Sequence, residues 1–217
     1  MNQSNKMNRR TVLTAGAGIA ASVVSATVVG GTAPLTPENP EGPFYPTHQQ
    51  LDRDTDLTRI QGHAGRAQGQ VIRVNGRVLD DQGSPVEGAL VDIWQANAFG
   101  RYAHEDDPAS APLDPDFQGW GMVKTDAEGN YAFTTIKPGA YAVSSGWSRP
   151  PHIHFKISRR GFHELTTQMY FANEPLNETD RLLLSVDEKA RSLLVVEFQE
   201  SDGVLRGDFP IVLARVT

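Results

Sequence analysis

In SRPPHIHFKIS two histidines stand two residues apart, at His152 and His154, and their Val/Ile/Phe-type neighbours favour a strand. Side chains alternate along a strand, so both imidazoles face one side and Ile153 faces the other. Two imidazoles on one face make half of a metal site. On its own H-x-H is a weak signal, since packing produces the same pair. The chain contains no cysteine, which excludes disulfides, a catalytic thiol and thiolate ligands, so any further metal ligand must offer oxygen or nitrogen. Pro150 and Pro151 remove two backbone donors just ahead of the pair, which predicts an edge or a mouth of the sheet at that strand start.

One known use of H-x-H is excluded directly. The cupin metal motif needs a Glu shortly after the pair, and here Lys156, Ser158, Arg159 and Arg160 follow; His163-Glu164 come too late and in the wrong order. A site using only His152 and His154, with copper or zinc, stays open at this point.

The elements that must carry the pair read as all-β. Residues 34–69, which include TPENPEGPFYP, show no sustained period of 2 or 3.6 and predict an irregular N-terminal arm. From residue 70 to 217, short β-type runs such as QVIRVNGRVL, ALVDIWQA, GMVKT, YAFTTI, HIHFKIS, TTQMYF, LLVVEFQE and FPIVLARV alternate with turn signals such as DDQGSP, DAEGN and KPG. That punctuation predicts a β-sandwich of short, mostly antiparallel strands with little helix. One short helical stretch is expected around residues 177–189, capped by Asn177 or Thr179. The run VNGRVLDDQGSPVEGALVDIWQA with TDAEGNYAFTTIKPG resembles the transthyretin-like or carboxypeptidase-regulatory sandwich. That type includes non-catalytic secreted binding modules and predicts fold rather than function.

Three motifs in order change the reading: ALVDIWQANAFGRYAHEDD, then KPGAYAV, then SRPPHIHF. Together they resemble the intradiol ring-cleavage dioxygenases, from EGPFYP at 41–46 to QMYF at 168–171. The resemblance implies ferric iron, Fe(3+), held by Tyr102, Tyr141, His152 and His154, with Tyr141 and His154 as the axial pair. It implies a catechol-type substrate, protocatechuate being one, whose ring is opened by O2 between the two hydroxylated carbons to a cis,cis-muconate-type diacid. By the same match Arg149 lies over the substrate ring, Gln168 orients that arginine, and Gly42 and Pro43 line the substrate cleft. Two departures stand out: Val143 occupies the place of a tryptophan in the protocatechuate branch, and no residue supplies an evident group for a substrate carboxylate. His48, His63, His104 and His163 belong to no motif and are expected to face solvent, as is the acidic pair Asp106-Asp107.

The remaining expectations concern the chain ends and partners. Residues 1–33 hold Lys6, Arg9 and Arg10 and no acid, and an uncharged Gly/Ala-rich run follows Arg9-Arg10, which looks like a twin-arginine export signal. Cleavage after Ala26 or Ala33 would leave an exported, periplasmic or extracellular enzyme with no stable membrane association. Setting those three cations aside from the 20 in the chain leaves 17 against 26 acidic residues, so nucleic acid is excluded as a partner for want of a basic face. A homo-oligomer is expected from the resemblance.

Overall fold

The computed structural model describes residues 32–47 and 52–216. The export-signal segment therefore lies outside the described residues except for its last two positions, and so does His48. No helix among the described residues is long and apolar enough to cross a membrane.

The first sheet is organised by β1 (Val71–Asp80), whose inward residues Ile72, Val74 and Val78 are fully buried. It pairs antiparallel with β4 (Asn130–Ile136) along Val71–Arg77. Parallel partners take successive stretches of the same strand: β11 (Val204–Asp208) at Ile72–Asn75 and β12 (Ile211–Leu213) at Val78–Asp80. Outside β11 runs β10 (Gln199–Ser201).

The second sheet has the order β3 (Trp120–Lys124), β2 (Leu90–Trp94), β7 (His152–Ser158), β8 (Leu165–Phe171), β9 (Val195–Val196). Between these elements in the chain, β5 (Tyr141–Ser144) and β6 (Trp147–Arg149) form a separate hairpin. Ile72, Val74 and Phe133 from one sheet and Ile93, Ile153, Phe155 and Ile157 from the other share one hydrophobic core. Burying each such side chain stabilises the fold by roughly 1.5–3 kcal/mol.

Period-two alternation then decides where chemistry can go. Because Ile153, Phe155 and Ile157 fill the core, His152 and His154 must lie on the other face of β7. Across the ladder, His154 lies between Trp94 and Gln168, and His152 is beside Tyr170, so these five side chains share that face. The pairing of β2 with β7 stops at Trp94 and His154, whereas β8 continues to His152. β7 is thus an interior strand whose start projects past β2, a mouth rather than an edge; both prolines precede its first paired residue and cost the ladder nothing.

The N-terminal arm covers this face. Thr36 N–H donates to the Val212 carbonyl (3.2 Å), and Val212 N–H donates to Thr36 Oγ1 (2.8 Å). Asn39 N–H donates to the Thr166 carbonyl (2.9 Å), and Thr167 Oγ1 to the Pro37 carbonyl (2.7 Å). Lys156 pairs with Glu41 (2.9 Å), and the Tyr45 hydroxyl donates to Asp92 (2.7 Å). Along residues 36–45 these hydrogen bonds go to strands β8 and β12 and to side chains, which leaves that stretch outside any helix or sheet ladder.

The helical content is a 3-10 turn at Pro175–Glu178 followed by α1 (Arg181–Leu184) and α2 (Glu188–Arg191). The cap expected from Asn177 or Thr179 is instead Asp180, whose Oδ1 accepts from Leu182 N (2.9 Å) and Leu183 N (2.8 Å). Asn177 is inside the 3-10 turn with its amide donating to the Phe171 carbonyl, and Thr179 ends that turn. Asp is as strong an N-cap as Asn, and Asp180 is the residue next to the helix.

Candidate metal centre

Three backbone devices bring four donor side chains together. Strand β7 supplies His152 and His154. The irregular segment after β2 supplies Tyr102, and the start of β5 supplies Tyr141. Asn97 joins the last two. Its Oδ1 accepts from Phe99 N (2.9 Å) and Arg101 N (3.1 Å), and its carbonyl accepts from both Gly100 N (3.0 Å) and Gly139 N (2.9 Å). Gly100 has φ +77°, and a β-carbon there would collide with the Ala140 carbonyl. Only glycine meets both demands, so the G of GRY and the G of PGAY are the contact that sets the two tyrosines side by side. Gly100→Ala is expected to destabilise the fold by roughly 1–2 kcal/mol for the left-handed backbone alone, with further loss from the clash. A thermal melt that leaves Tm unchanged would contradict this account of the turn.

Tyr102 is held by its own backbone as well, its N–H donating to Asp107 Oδ2 (2.6 Å) while Asp107 Oδ1 accepts from Ala109 N (2.8 Å). Asp107 is buried, contrary to the solvated loop expected for the acidic pair; Asp106 is exposed as expected. The His104 side chain is only 5% exposed, against the expectation that it faces solvent, because its ring packs by Phe44 and its Nδ1 accepts from Asp106 N. His63 and His163 are exposed.

The rings of the four candidates form a tight cluster. Centroids lie 4.9 Å apart for His152 and His154, 5.7 Å for Tyr102 and Tyr141, 5.7 Å for Tyr141 and His152, and 6.2 Å for Tyr102 and His154. The Pro150 carbonyl can only accept, so His152 Nδ1 donates to it (2.7 Å), and the Nε2 lone pair is left toward the Tyr102 hydroxyl at 3.4 Å. His154 stacks on Trp94 at 4.7 Å and 14°, and its Nδ1 is buried with no hydrogen-bond partner.

Electrostatics prepare these groups for a cation. Burial, reinforced by the nearby Arg149 charge, pushes the His152 pKa down to about 3, and burial with His152 and Arg149 holds His154 well below the usual imidazole range. Both rings are therefore neutral and keep lone pairs to donate. Burial and the neighbouring phenol of Tyr141 push Tyr102 well up; burial raises Tyr141 too, with Arg149 opposing it. Two buried phenols ionise only when a cation replaces their protons, and two phenolates offset most of a trivalent charge. Among the described residues no group of three or more His, Asp or Glu side chains gathers at one point, so a site on imidazole and carboxylate alone has no third ligand. Hard phenolic oxygen with imidazole nitrogen fits ferric iron.

A second layer surrounds Arg149, which hairpin pairing puts directly across from Tyr141. Its Nε donates to Asp180 Oδ2 (2.9 Å), and its Nη2 donates to Gln168 Oε1 (2.7 Å) and to the Tyr170 hydroxyl (2.9 Å). Gln168 Nε2 in turn donates to the Pro40 carbonyl of the arm (2.8 Å). Asp180 has no exposed surface; sequence reasoning missed it, since nothing in NETDRLLL separates a capping acid from one that also pairs across the fold. Beside this cluster lies a cavity of about 430 Å³, lined by Gly42, Pro43 and Phe44 of the arm, by Tyr141, Arg149 and His154, and beyond them by Asp107, Ser110 and apolar residues. Tyr102 and His152 lie behind that wall and do not line it. A more open groove of about 640 Å³ near Asn75, Arg77 and Lys124 holds none of the candidate residues.

Comparison with known proteins agrees with the geometry. A family profile described as "Dioxygenase" matches residues 40–214. The protocatechuate 3,4-dioxygenase beta chain of Burkholderia cepacia is 43% identical over 197 residues, covering 85% of this chain and 83% of that one. Catechol 1,2-dioxygenase 2 of Acinetobacter lwoffii is 34% identical over 160 residues, covering 64% of this chain and about half of its own length (52%). Among solved structures, the dioxygenase domain of a dioxygenase carbohydrate-binding protein fusion from Streptomyces sp. SirexAA-E superposes with a TM-score of 0.63 at 30% identity, covering 84% of this chain and all of that domain (100%). On this match across nearly all of the described residues, the chain belongs to the intradiol ring-cleavage dioxygenases and is an oxidoreductase of that family.

Proposed function

We propose that Tyr102, Tyr141, His152 and His154 hold ferric iron and that the adjoining cavity takes a catechol-type ring, which O2 opens between its two hydroxylated carbons to a cis,cis-muconate-type diacid. The observation that carries this is the clustering of two phenols and two neutral imidazoles, from three separate segments, beside one cavity whose wall Tyr141 and His154 form. Bound there, ferric iron supplies the electron-withdrawing centre that makes a chelated catechol reactive toward O2.

The chain's own residues do the rest. Tyr141 lines the cavity, and once ionised its phenolate oxygen is the group placed to accept a substrate hydroxyl proton. Trp94 fixes the plane of the His154 ring by stacking on it. Arg149 is buried and fully oriented before substrate arrives, so its charge stabilises negative charge developing on the ring without reorganisation; one such donor is worth roughly 2.7–4 kcal/mol. Gly42, Pro43 and Phe44 line the cavity from the arm side, where they shield the ring from bulk water. Protocatechuate is the substrate in the name of the Burkholderia relative, and it is a candidate here on that basis.

Ring cleavage under ¹⁸O₂ tests the reading. The expected result is one O2 consumed per ring, with both labelled atoms in a diacid opened between the hydroxylated carbons. Opening beside the diol, or a single label in the product, would overturn it.

A further inference from the structure

The cavity also constrains what the substrate ring can carry. Away from the Tyr141 and His154 wall its sides are mainly Phe44, Pro108, Ala109, Val143, Trp147 and Leu182, with Ser110 the one neutral hydroxyl among them. Arg149 is the only cationic residue among the described lining residues, and its Nε and Nη2 are already committed. Asp180 pairs with its Nε, and Gln168 and the Tyr170 hydroxyl take its Nη2. The guanidinium and Asp180 side chains are 4% and 0% exposed, so each offsets the other's charge where water cannot. The other charged lining residue is Asp107, an anion. A second cation, Arg181, sits over the Trp147 ring at 5.1 Å and is not among the lining residues. The indole Nε1 of Trp147 is buried without a partner, which adds at most a neutral donor.

Among the described residues the one lining cation, Arg149, is paired with Asp180 and assigned to the reacting ring, so a ring carboxylate entering here would lose its hydration and find no second countercharge, and a buried carboxylate without a partner is strongly disfavoured. A methyl, halogen or ester group at the same ring position meets apolar surface and loses nothing.

We propose that this site takes catechols whose ring substituent is uncharged and discriminates against a ring carboxylate, with Val143 at the wall that sets the choice. The proposal rests on the site reading above and narrows its substrate class, away from the acid in the name of the Burkholderia relative. Val143 is 47% exposed at the cavity, so a larger polar side chain can be built there without disturbing the core.

The test compares protocatechuate, its methyl ester and 4-methylcatechol on the iron-loaded chain. For each, kcat/KM is measured in air and Kd is taken from an anaerobic optical titration. The ester differs from the acid chiefly by losing the charge, so it isolates the cause. The ester and 4-methylcatechol are expected to show a kcat/KM at least about tenfold higher than protocatechuate and a Kd at least about tenfold lower, the scale on which one group in a pocket discriminates. Equal or better values for protocatechuate would overturn the proposal while leaving the site reading intact. Failure of all three to bind or react would overturn the site reading itself and this inference with it. Val143→Arg, with Ala109→Arg as a second placement, is expected to raise the protocatechuate-to-ester ratio about tenfold or more; an unchanged ratio in both variants would count against the proposal. Arg181→Gln is expected to leave the ratio where it is, and a fall would show that Arg181 already serves a carboxylate.

Discussion

Tyr102→Phe is expected to lower kcat/KM by about 10³-fold or more while moving Tm little. The substitution keeps the ring, its contact with Tyr141 and its buried volume, and removes one hydroxyl whose separation from His152 Nε2, 3.4 Å, makes a weak hydrogen bond at best. The fold therefore has little to lose. The site loses one of two groups able to donate an anionic oxygen, leaving a trivalent ion under-compensated in a buried setting. A metal's electrophilic contribution is worth several kcal/mol, and each 1.36 kcal/mol is tenfold in rate. Steady-state kinetics with circular dichroism and a thermal melt separate the two effects. Activity within tenfold of wild type would remove Tyr102 from the site.

Asp180→Ala is the largest expected loss of stability. The carboxylate is fully buried, pairs with Arg149 Nε at 2.9 Å, and caps α1 through Leu182 N and Leu183 N. Removing one partner of a buried pair leaves an uncompensated charge and costs about 3–5 kcal/mol, and the lost cap adds about 1 kcal/mol. At roughly 2–4 °C per kcal/mol for a domain of this size, Tm should fall by ~10 °C or more. Asp180→Asn separates structure from positioning. Asparagine caps a helix as well as aspartate does, so much of the stability should return, but Arg149 loses its countercharge and one fixed acceptor. The expectation is a kcat reduced about 10–100-fold, the range seen when a supporting hydrogen-bond partner is removed, with KM changed far less. A KM-only effect would mean that Asp180 supports the fold and not the orientation of Arg149.

What could be read without coordinates follows from how local each cause is. The facing of His152 and His154 is a property of any strand, and the alternation that puts Ile153, Phe155 and Ile157 in the core is written in consecutive residues. The sandwich was legible for the same reason, from short runs and turn residues. Tyr102 and Tyr141 were not: no periodicity singles out a tyrosine in an irregular segment, and only resemblance to a family marked them. Their actual juxtaposition depends on Asn97 bridging segments some forty residues apart and on a backbone contact at Gly100. The β5 and β6 strands, of four and three residues, were too short to show alternation. Parallel pairing of β1 with β11 and β12 joins opposite ends of the domain, which local pattern does not encode. Asp107 reads as a surface acid, and Asp180 carries no signal at all, because their partners, a backbone N–H and an arginine on another element, are set by tertiary structure.

The visible absorption spectrum of the iron-loaded chain tests the central claim most directly. Phenolate ligation of ferric iron predicts one iron per chain and a broad tyrosinate-to-iron band that shifts on anaerobic addition of a catechol and weakens in Tyr102→Phe. A chain that takes up one iron yet stays colourless, or a band unaltered in Tyr102→Phe, would contradict it.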